Sequence, residues 1–309
     1  MISLSVVGVE MYATAIVLAV IWPWTMPNMT IFNIRPMRHQ EISLATDWAA
    51  DEGWNPGFAD ASCFATVDPE GFLIGELDGE PAAMISCVNY DAAFSFLGFY
   101  VVRPELRGRG FGIRVWKAAM QHAGHRTVGL DGVVAQQANY RKSGFKLAWS
   151  NFRYGGTAPC DGSERHHGLV ALETVSPDLI QADDRTVFPA SRARFLKTWI
   201  NTSGHIGRAL LRGGKLEAWG VIRQCRTGHK IGPLVASRRL DAETVLRGLL
   251  EASGAKEFFL DVPAINHAAV ALAESLGLKP AFETARMYRG QIPSVRVDRI
   301  FGVTSFELG

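Results

Sequence analysis

The chain runs to 309 residues, with 32 Lys and Arg against 30 Asp and Glu and a formal charge of +2. That length suggests about two domains at ~100–200 residues each, and 48% hydrophobic with 20% charged residues is a globular balance with material for a core. So even a charge excludes the general basic field that nucleic-acid binding needs, and no nucleic-acid partner is expected.

From Met11 to Ile34 no side chain is charged, and Met11 to Trp24 is strongly apolar. Glu10 precedes this stretch, no Lys or Arg leads it, and Pro23 and Pro27 interrupt it, so the targeting pattern is weak. MTIFNIRPM, from Met29, reads as the first strand of a domain. Residues 1–28 are therefore expected to stand outside the fold and the protein to be cytoplasmic; the alternative is a membrane anchor through residues 11–24.

Ile31 to Met37 predicts a strand ended by Pro36, and Gln40 to Asp51 a helix carrying Ile42, Ala45, Trp48 and Ala49. EGWNPGFAD (Glu52 to Asp60) is loop chemistry, with two aromatics that are costly to expose without purpose. Gly71 to Tyr90 predicts a hairpin turning at Asp78-Gly79. FSFLGFYVV (Phe94 to Val102) is nearly all apolar, so it belongs in a sheet interior. A helix then follows RGRGFG, with Ile113, Trp116, Met120 and Ala123 as its expected apolar face. Thr127 to Val134 reads as a strand, and Gln136 to Phe145 as a short helix closing at Gly144. Alternating strands and helices give an α/β class with a mixed sheet over residues 29–156. Thr157 to Arg165 suits a boundary, leaving residues 166–309 as a second domain.

The second half repeats the tail of the first. LDGVVAQQANYRKSGFKLAWSNFR starts at Leu130 and LDVPAINHAAVALAESLGLKPAFETAR at Leu260. Gly144, Ala148, Trp149 and Arg153 each stand 133 positions before Gly277, Ala281, Phe282 and Arg286. A duplicated fold follows, with the second copy's helix three residues longer. That copy reads VASRRLDAETVLRG where a glycine loop belongs and has Ala273 where the first has Tyr140.

A strand, RGRGFG and a helix make an anion-binding arrangement: the first-turn amides and the helix dipole both face the ligand. Gly108, Gly110 and Gly112 clear side chains from the backbone, and Arg107 and Arg109 can add charge-assisted hydrogen bonds. The dinucleotide fingerprint fails because the sixth position from Gly108 is Ile113, and a P-loop fails for want of Gly-Lys-Ser/Thr. Cys63, Cys87, Cys160 and Cys225 show no zinc or redox spacing, and His166 and His167 lack a third ligand, so no metal is expected.

R-x-x-G-x-G after a strand (Arg107, Gly110, Gly112), then a strand, then N-Y-R-K-S-G-F, resembles the GNAT superfamily of acyl-CoA-dependent N-acyltransferases. The combination of EGWNPG, GFYVVRPELRGRGFG and YRKSGF with a degenerate second lobe ending in ARMYRG is similar to the two-domain, YitH-like members. The resemblance implies a duplicated GNAT fold with acetyl-CoA as co-substrate. It implies that Tyr100, Val101 and Val102 bind the pantetheine arm and acyl carbonyl. Arg107, Gly108, Arg109, Gly110, Phe111 and Gly112 would hold the pyrophosphate, with Asn139 and Tyr140 beside the sulfur and Tyr140 as general acid. The expected function is N-acetyl transfer to a primary amine of a small-molecule acceptor, and the alternative is a non-catalytic acyl-CoA-binding sensor or interaction module. Among the acids, Glu52, Asp60, Glu76, Asp91 and Asp131 are candidate bases by type. Glu52 is preferred because its loop should overhang the acceptor, with Trp54, Phe58 and Tyr90 as apolar wall. The sequence carries no signal of oligomeric state.

Overall fold

The computed structural model describes residues 30–159 and 167–309; the apolar N-terminal stretch, Cys160 and His166 lie outside them. The first lobe runs β1 (Phe32–Pro36), α1 (Ser43–Asp51), α2 (Asp60–Ala65), β2 (Phe72–Leu77), β3 (Glu80–Asn89), β4 (Phe94–Val102), α3 (Phe111–Ala123), β5 (Thr127–Val133), α4 (Gln137–Lys142) and β6 (Lys146–Thr157). The second follows with β7 (Leu169–Ala171), α5 (Pro177–Asp184), α6 (Ala193–Asn201), β8 (His205–Arg212), β9 (Lys215–Gln224), β10 (His229–Ala236), α7 (Arg239–Ser253), β11 (Glu257–Pro263), α8 (His267–Ser275), β12 (Lys279–Arg289) and β13 (Ile300–Gly302).

The sequence repeat maps onto β5–α4–β6 and β11–α8–β12, and α8 has nine residues against six in α4. One helix face needs correction. The buried stripe of α3 is Phe111, Val115, Trp116, Ala119 and Ala123, a run at helical spacing, while Ile113 is half exposed. The stripe packs on β2, β3 and β4, and the Phe32 and Phe111 rings meet at 4.7 Å. The helix expected from Gln40 begins at Ser43, after a single 3₁₀ turn over His39–Glu41.

The two lobes share one sheet, in the order β1-β2-β3-β4-β5-β12-β6-β11-β10-β9-β8-β7. β12 of the second lobe therefore lies between β5 and β6 of the first, and β6 lies between β12 and β11. β6 of the first lobe and β12 of the second are thus exchanged between the lobes, while β13 stays with its own.

The repeat explains how this exchange is fastened. Arg153 on β6 donates from Nε and Nη2 to Asp261 on β11 at 2.6 and 2.8 Å. Arg286 on β12 donates from the same two atoms to Asp131 on β5 at 2.7 and 2.6 Å. All four residues belong to the duplicated segments, and all four side chains are nearly or fully buried. Bidentate pairing of this kind fixes register as well as charge. On the same face of the sheet, Phe64 of α2 stacks on Phe195 of α6 at 4.5 Å and meets Trp199 edge-on at 5.8 Å, so apolar packing also joins the lobes.

Candidate active site

β4 and β5 run parallel and pair from Phe94↔Thr127 to Leu97↔Leu130. Beyond that point they part. β4 also bulges against β3 between Met84 and Ser86, with Phe99 at φ 45° in the left-handed region. A bulge that increases local twist turns the strand end away from its neighbour. The gap opens into a cleft of about 520 Å³, lined along its length by Gly98 to Val102 on one side and Leu130 to Val133 on the other.

The glycine loop closes one end. Gly108, Gly110 and Gly112 line the cleft. Gly110 caps α3 at φ 85°, a backbone position that strains any residue with a Cβ. No heavy atom outside the adjoining residues lies within 4 Å of where that Cβ would be, so the loop is open on that side. Among the described residues, no backbone carbonyl outside the helices and strands accepts from the amides of residues 108–112. Bare first-turn amides beside an open cleft fit the diphosphate of coenzyme A.

Arg107 also lines the cleft; its Nε donates to the Val102 carbonyl at 2.9 Å and its Nη2 to Glu52. Arg109 lies over the Phe111 ring at 5.3 Å and is not among the lining side chains.

Tyr140 stands on the β5 side. Its ring covers Gly132, where a Cβ would overlap it, and stacks on Trp116 at 5.7 Å. Burial, then the neighbouring Tyr100, pushes its phenol up to about 12, so it holds its proton at neutral pH. Tyr100 tilts against the same indole at 5.6 Å, and burial raises its phenol too. Asn139 is exposed, donates to Gln136 Oε1 at 2.7 Å and points to no part of the cleft; Gln136 takes the lining position instead.

The acceptor side differs more from expectation. Trp54 lines the cleft, and its carbonyl accepts from Arg153. Phe58 does not: it is 59% exposed, and its backbone is tied to the Gln224 carbonyl of β9. Tyr90 is buried away from the cleft, edge-on to Phe188 at 4.8 Å, with its hydroxyl donating to the Leu308 carbonyl at 2.7 Å. An aromatic in a sequence does not say which neighbours it meets: Tyr90 joins the core between the lobes, and Phe58 stays exposed. Phe282 and Phe306, both from the second half, supply apolar wall in their place, with Thr284 beside them.

Glu52 reaches the cleft as expected, but its carboxylate is engaged by Arg107. Asp60 is paired with Arg223, Glu76 with Arg35, and Asp131 with Arg286; Asp91 caps a turn at the Ala93 and Phe94 amides. Glu307 lines the cleft and was missed. It sits in the C-terminal tail, which is buried from Phe301 to Gly309. The signal available was slight: one acid in an otherwise apolar or small C-terminal run.

A split mixed sheet with an anion loop at one end and a protonated phenol along one wall defines an acyl-CoA-dependent transferase. Residues 34–145 match the acetyltransferase (GNAT) family profile, and residues 180–302 match an acetyltransferase (GNAT) domain. A holothin acyltransferase of Pseudoalteromonas sp. (strain SANK 73390) is 30% identical over 279 residues, 89% of this chain and 94% of that one. The chain belongs to the GNAT family, as a tandem of two such lobes, and is an acyl-CoA-dependent N-acyltransferase. In fold it is similar to an acetyltransferase structure from Pyrococcus horikoshii (TM-score 0.76, 23% identity, 90% of this chain and 96% of that one). A tandem GNAT protein from the clavulanic acid biosynthesis pathway also matches (TM-score 0.59, 14% identity, 85% and 100%).

Among the described residues no group of three or more His, Cys, Asp or Glu could hold a metal ion, and no helix is long and apolar enough to cross a membrane. Cys63, Cys87 and Cys225 are free and buried, and burial raises the first two thiols to about 11 and 12. None of the three lines the cleft, and a thiol held protonated is a poor nucleophile.

Proposed function

We propose that the protein moves an acetyl group from acetyl-CoA to the primary amine of a small-molecule acceptor by direct attack, with no acyl-enzyme intermediate. The observation that carries this reading is the split between β4 and β5, with bare amides at one end and the Tyr140 phenol on its wall. The holothin acyltransferase likeness extends along nearly the whole chain and favours a small acceptor over a protein one.

In this reading the loop amides of residues 108–112 seat the diphosphate, with Arg107 adding charge. Acetyl-CoA supplies the activated acyl group as a thioester. The free edge of β4 beyond Leu97 offers backbone donors where negative charge grows on the acyl oxygen, the arrangement that stabilises acyl-transfer transition states most. Tyr140 protonates the leaving sulfur, a task for which a phenol kept protonated by burial is suited. Trp54, Phe282 and Phe306 enclose the acceptor's apolar part.

The test is free-thiol release from acetyl-CoA with benzylamine, tyramine, spermidine and amino acids as acceptors. Tyr140→Phe should lower kcat by about 10²-fold while leaving the acetyl-CoA dissociation constant within a factor of two. A fully active Tyr140→Phe enzyme sinks the acid assignment. No thiol release with any amine, despite acetyl-CoA binding, sinks the transferase reading.

A further inference from the structure

Three acidic side chains line the cleft: Glu52, Asp131 and Glu307. Arg107 neutralises the first and Arg286 the second. Glu307 is only 3% exposed, yet among the described residues no Lys, Arg or His nitrogen lies within 4.0 Å of its carboxylate. Arg153 of β6 and Arg223 of β9 face it from farther away, and each is already taken by an aspartate, Asp261 and Asp60. Asp131 of β5 faces it as well. Its hydrogen-bond partner is the Ser305 hydroxyl, whose oxygen accepts from the Glu307 amide at 3.2 Å. A buried carboxylate without a paired cation is unfavourable, so one that lines a cleft is placed to meet a positive partner there.

The backbone sets this residue at the reacting end. A Cβ on Gly98 would overlap the Glu307 carbonyl oxygen, so the tail lies directly against β4 where that strand leaves β5. That is also where the acyl carbonyl belongs in the reading above.

We propose that Glu307, delivered by the C-terminal tail, binds the acceptor nitrogen and takes its proton; this rests on the amine-acylation reading. An acceptor bound as an ammonium first gives one proton through Glu307 to solvent; the neutral nitrogen's electron pair then enters the new C–N bond and the C–S bond breaks. The proton leaving nitrogen goes to the Glu307 carboxylate, and the sulfur receives the Tyr140 proton. Solvent exchange then carries the proton from Glu307 to restore the phenol. Neither an oxidant nor a metal is required. The second lobe thus contributes the base as well as the apolar wall.

The experiment uses the full chain, acetyl-CoA and the best amine of the panel. Glu307→Gln keeps the shape and the Ser305 contact and removes the charge. It should lower kcat/KM for the amine by about 10²–10³-fold, with acetyl-CoA affinity by calorimetry and melting temperature near wild type. The loss should fall on turnover with the amine and leave the KM for acetyl-CoA unchanged, a split that a purely structural role does not produce. Should Glu307→Gln fail to fold, Glu307→Asp withdraws the carboxylate by one methylene: reduced kcat at unchanged acetyl-CoA affinity supports the assignment, and wild-type kcat overturns it. A fully active Glu307→Gln enzyme, or activity and acetyl-CoA affinity falling together, also overturns it and leaves the transferase reading standing. A wild-type protein that binds acetyl-CoA and acylates no amine removes both.

Discussion

The two lobes open the same gap and fill it differently. In the first, β4 and β5 part after Leu97↔Leu130 and the space remains a cleft. In the second, β10 and β11 part after Ile231↔Leu260, and β13 enters between them. Leu234 and Val235 pair with Gly302 and Ile300, and the Val303 amide donates to the Asp261 carbonyl at 2.8 Å. Splayed strands leave backbone groups that must find partners. One lobe keeps a glycine loop and an open gap; the other fills its gap with its own chain. Gly98 and Gly232 mark the equivalence: a Cβ on either would overlap tail carbonyls, Glu307 in one case and Val303 in the other. The same tail that closes the second gap reaches the first and lies against its strand β4.

The crossed ion pairs offer the severest way to break this symmetry. Asp131→Ala or Asp261→Ala leaves a buried guanidinium without its partner, and each should lower unfolding free energy by about 3–5 kcal/mol, read by denaturant titration. The environments are not identical. Asp261 has Lys230 Nζ at 4.0 Å as a second cation. Burial raises the Asp131 carboxyl above its usual range, whereas at Asp261 burial is outweighed by Arg153 and Lys230, which hold it below. Asp261→Ala strands two cations and should cost more. Equal losses would show that Lys230 carries no part of the pairing.

How much of this was legible follows from what kind of interaction each feature depends on. The loop, Tyr140 and the strands around them are local: turn chemistry, alternation and spacing lie within a few residues. Duplication was legible too, in four matched positions, and Arg153 with Arg286 stood among them. Their partners were not, because a matched Leu-Asp says nothing about which copy of the arginine it meets; strand exchange is decided by the whole sheet. Phe58 and Tyr90 were misplaced for a similar reason, since their partners, Gln224 and Leu308, are more than a hundred residues away. Glu307 depends on the tail crossing both lobes, a path that no periodicity encodes.

A smaller asymmetry concerns acid. His205 begins β8 in the second lobe and meets the Trp199 ring edge-on at 4.5 Å. Burial, then Arg223, lowers its pKa to about 4, and Nδ1 lies 2.8 Å from the Trp199 carbonyl. The folded value lies below the unfolded one of about 6.5, so the unfolded chain binds the proton first. The stabilisation is therefore complete above about pH 6.5 and is lost as pH falls toward 4, amounting to at most about 3 kcal/mol. Carboxylates titrate in the same range, so the informative quantity is a difference. The slope of unfolding free energy against pH between 6.5 and 4 should be shallower in His205→Gln than in wild type. Parallel slopes would place the acid response elsewhere.

The gentlest comparison sets one glycine against another. Gly110 caps α3 at φ 85° and Gly254 follows α7 at φ 63°; both are left-handed, and at both a Cβ would meet nothing within 4 Å. Alanine at either position therefore meets backbone strain without steric clash, about 1–2 kcal/mol for the left-handed conformation. The two variants should lose similar stability in thermal or denaturant unfolding. Their ligand behaviour should differ. Relief of strain at Gly110 turns the amides of the α3 first turn away from the cleft, weakening acetyl-CoA by about tenfold, the equivalent of 1.4 kcal/mol. At Gly254 the same relief moves the end of a helix whose lobe has filled its gap with β13, and acetyl-CoA affinity should stay at the wild-type value. If the Gly254→Ala protein lost affinity to the same extent, the second lobe would be holding coenzyme after all, and the division of labour between the two gaps would have to be redrawn.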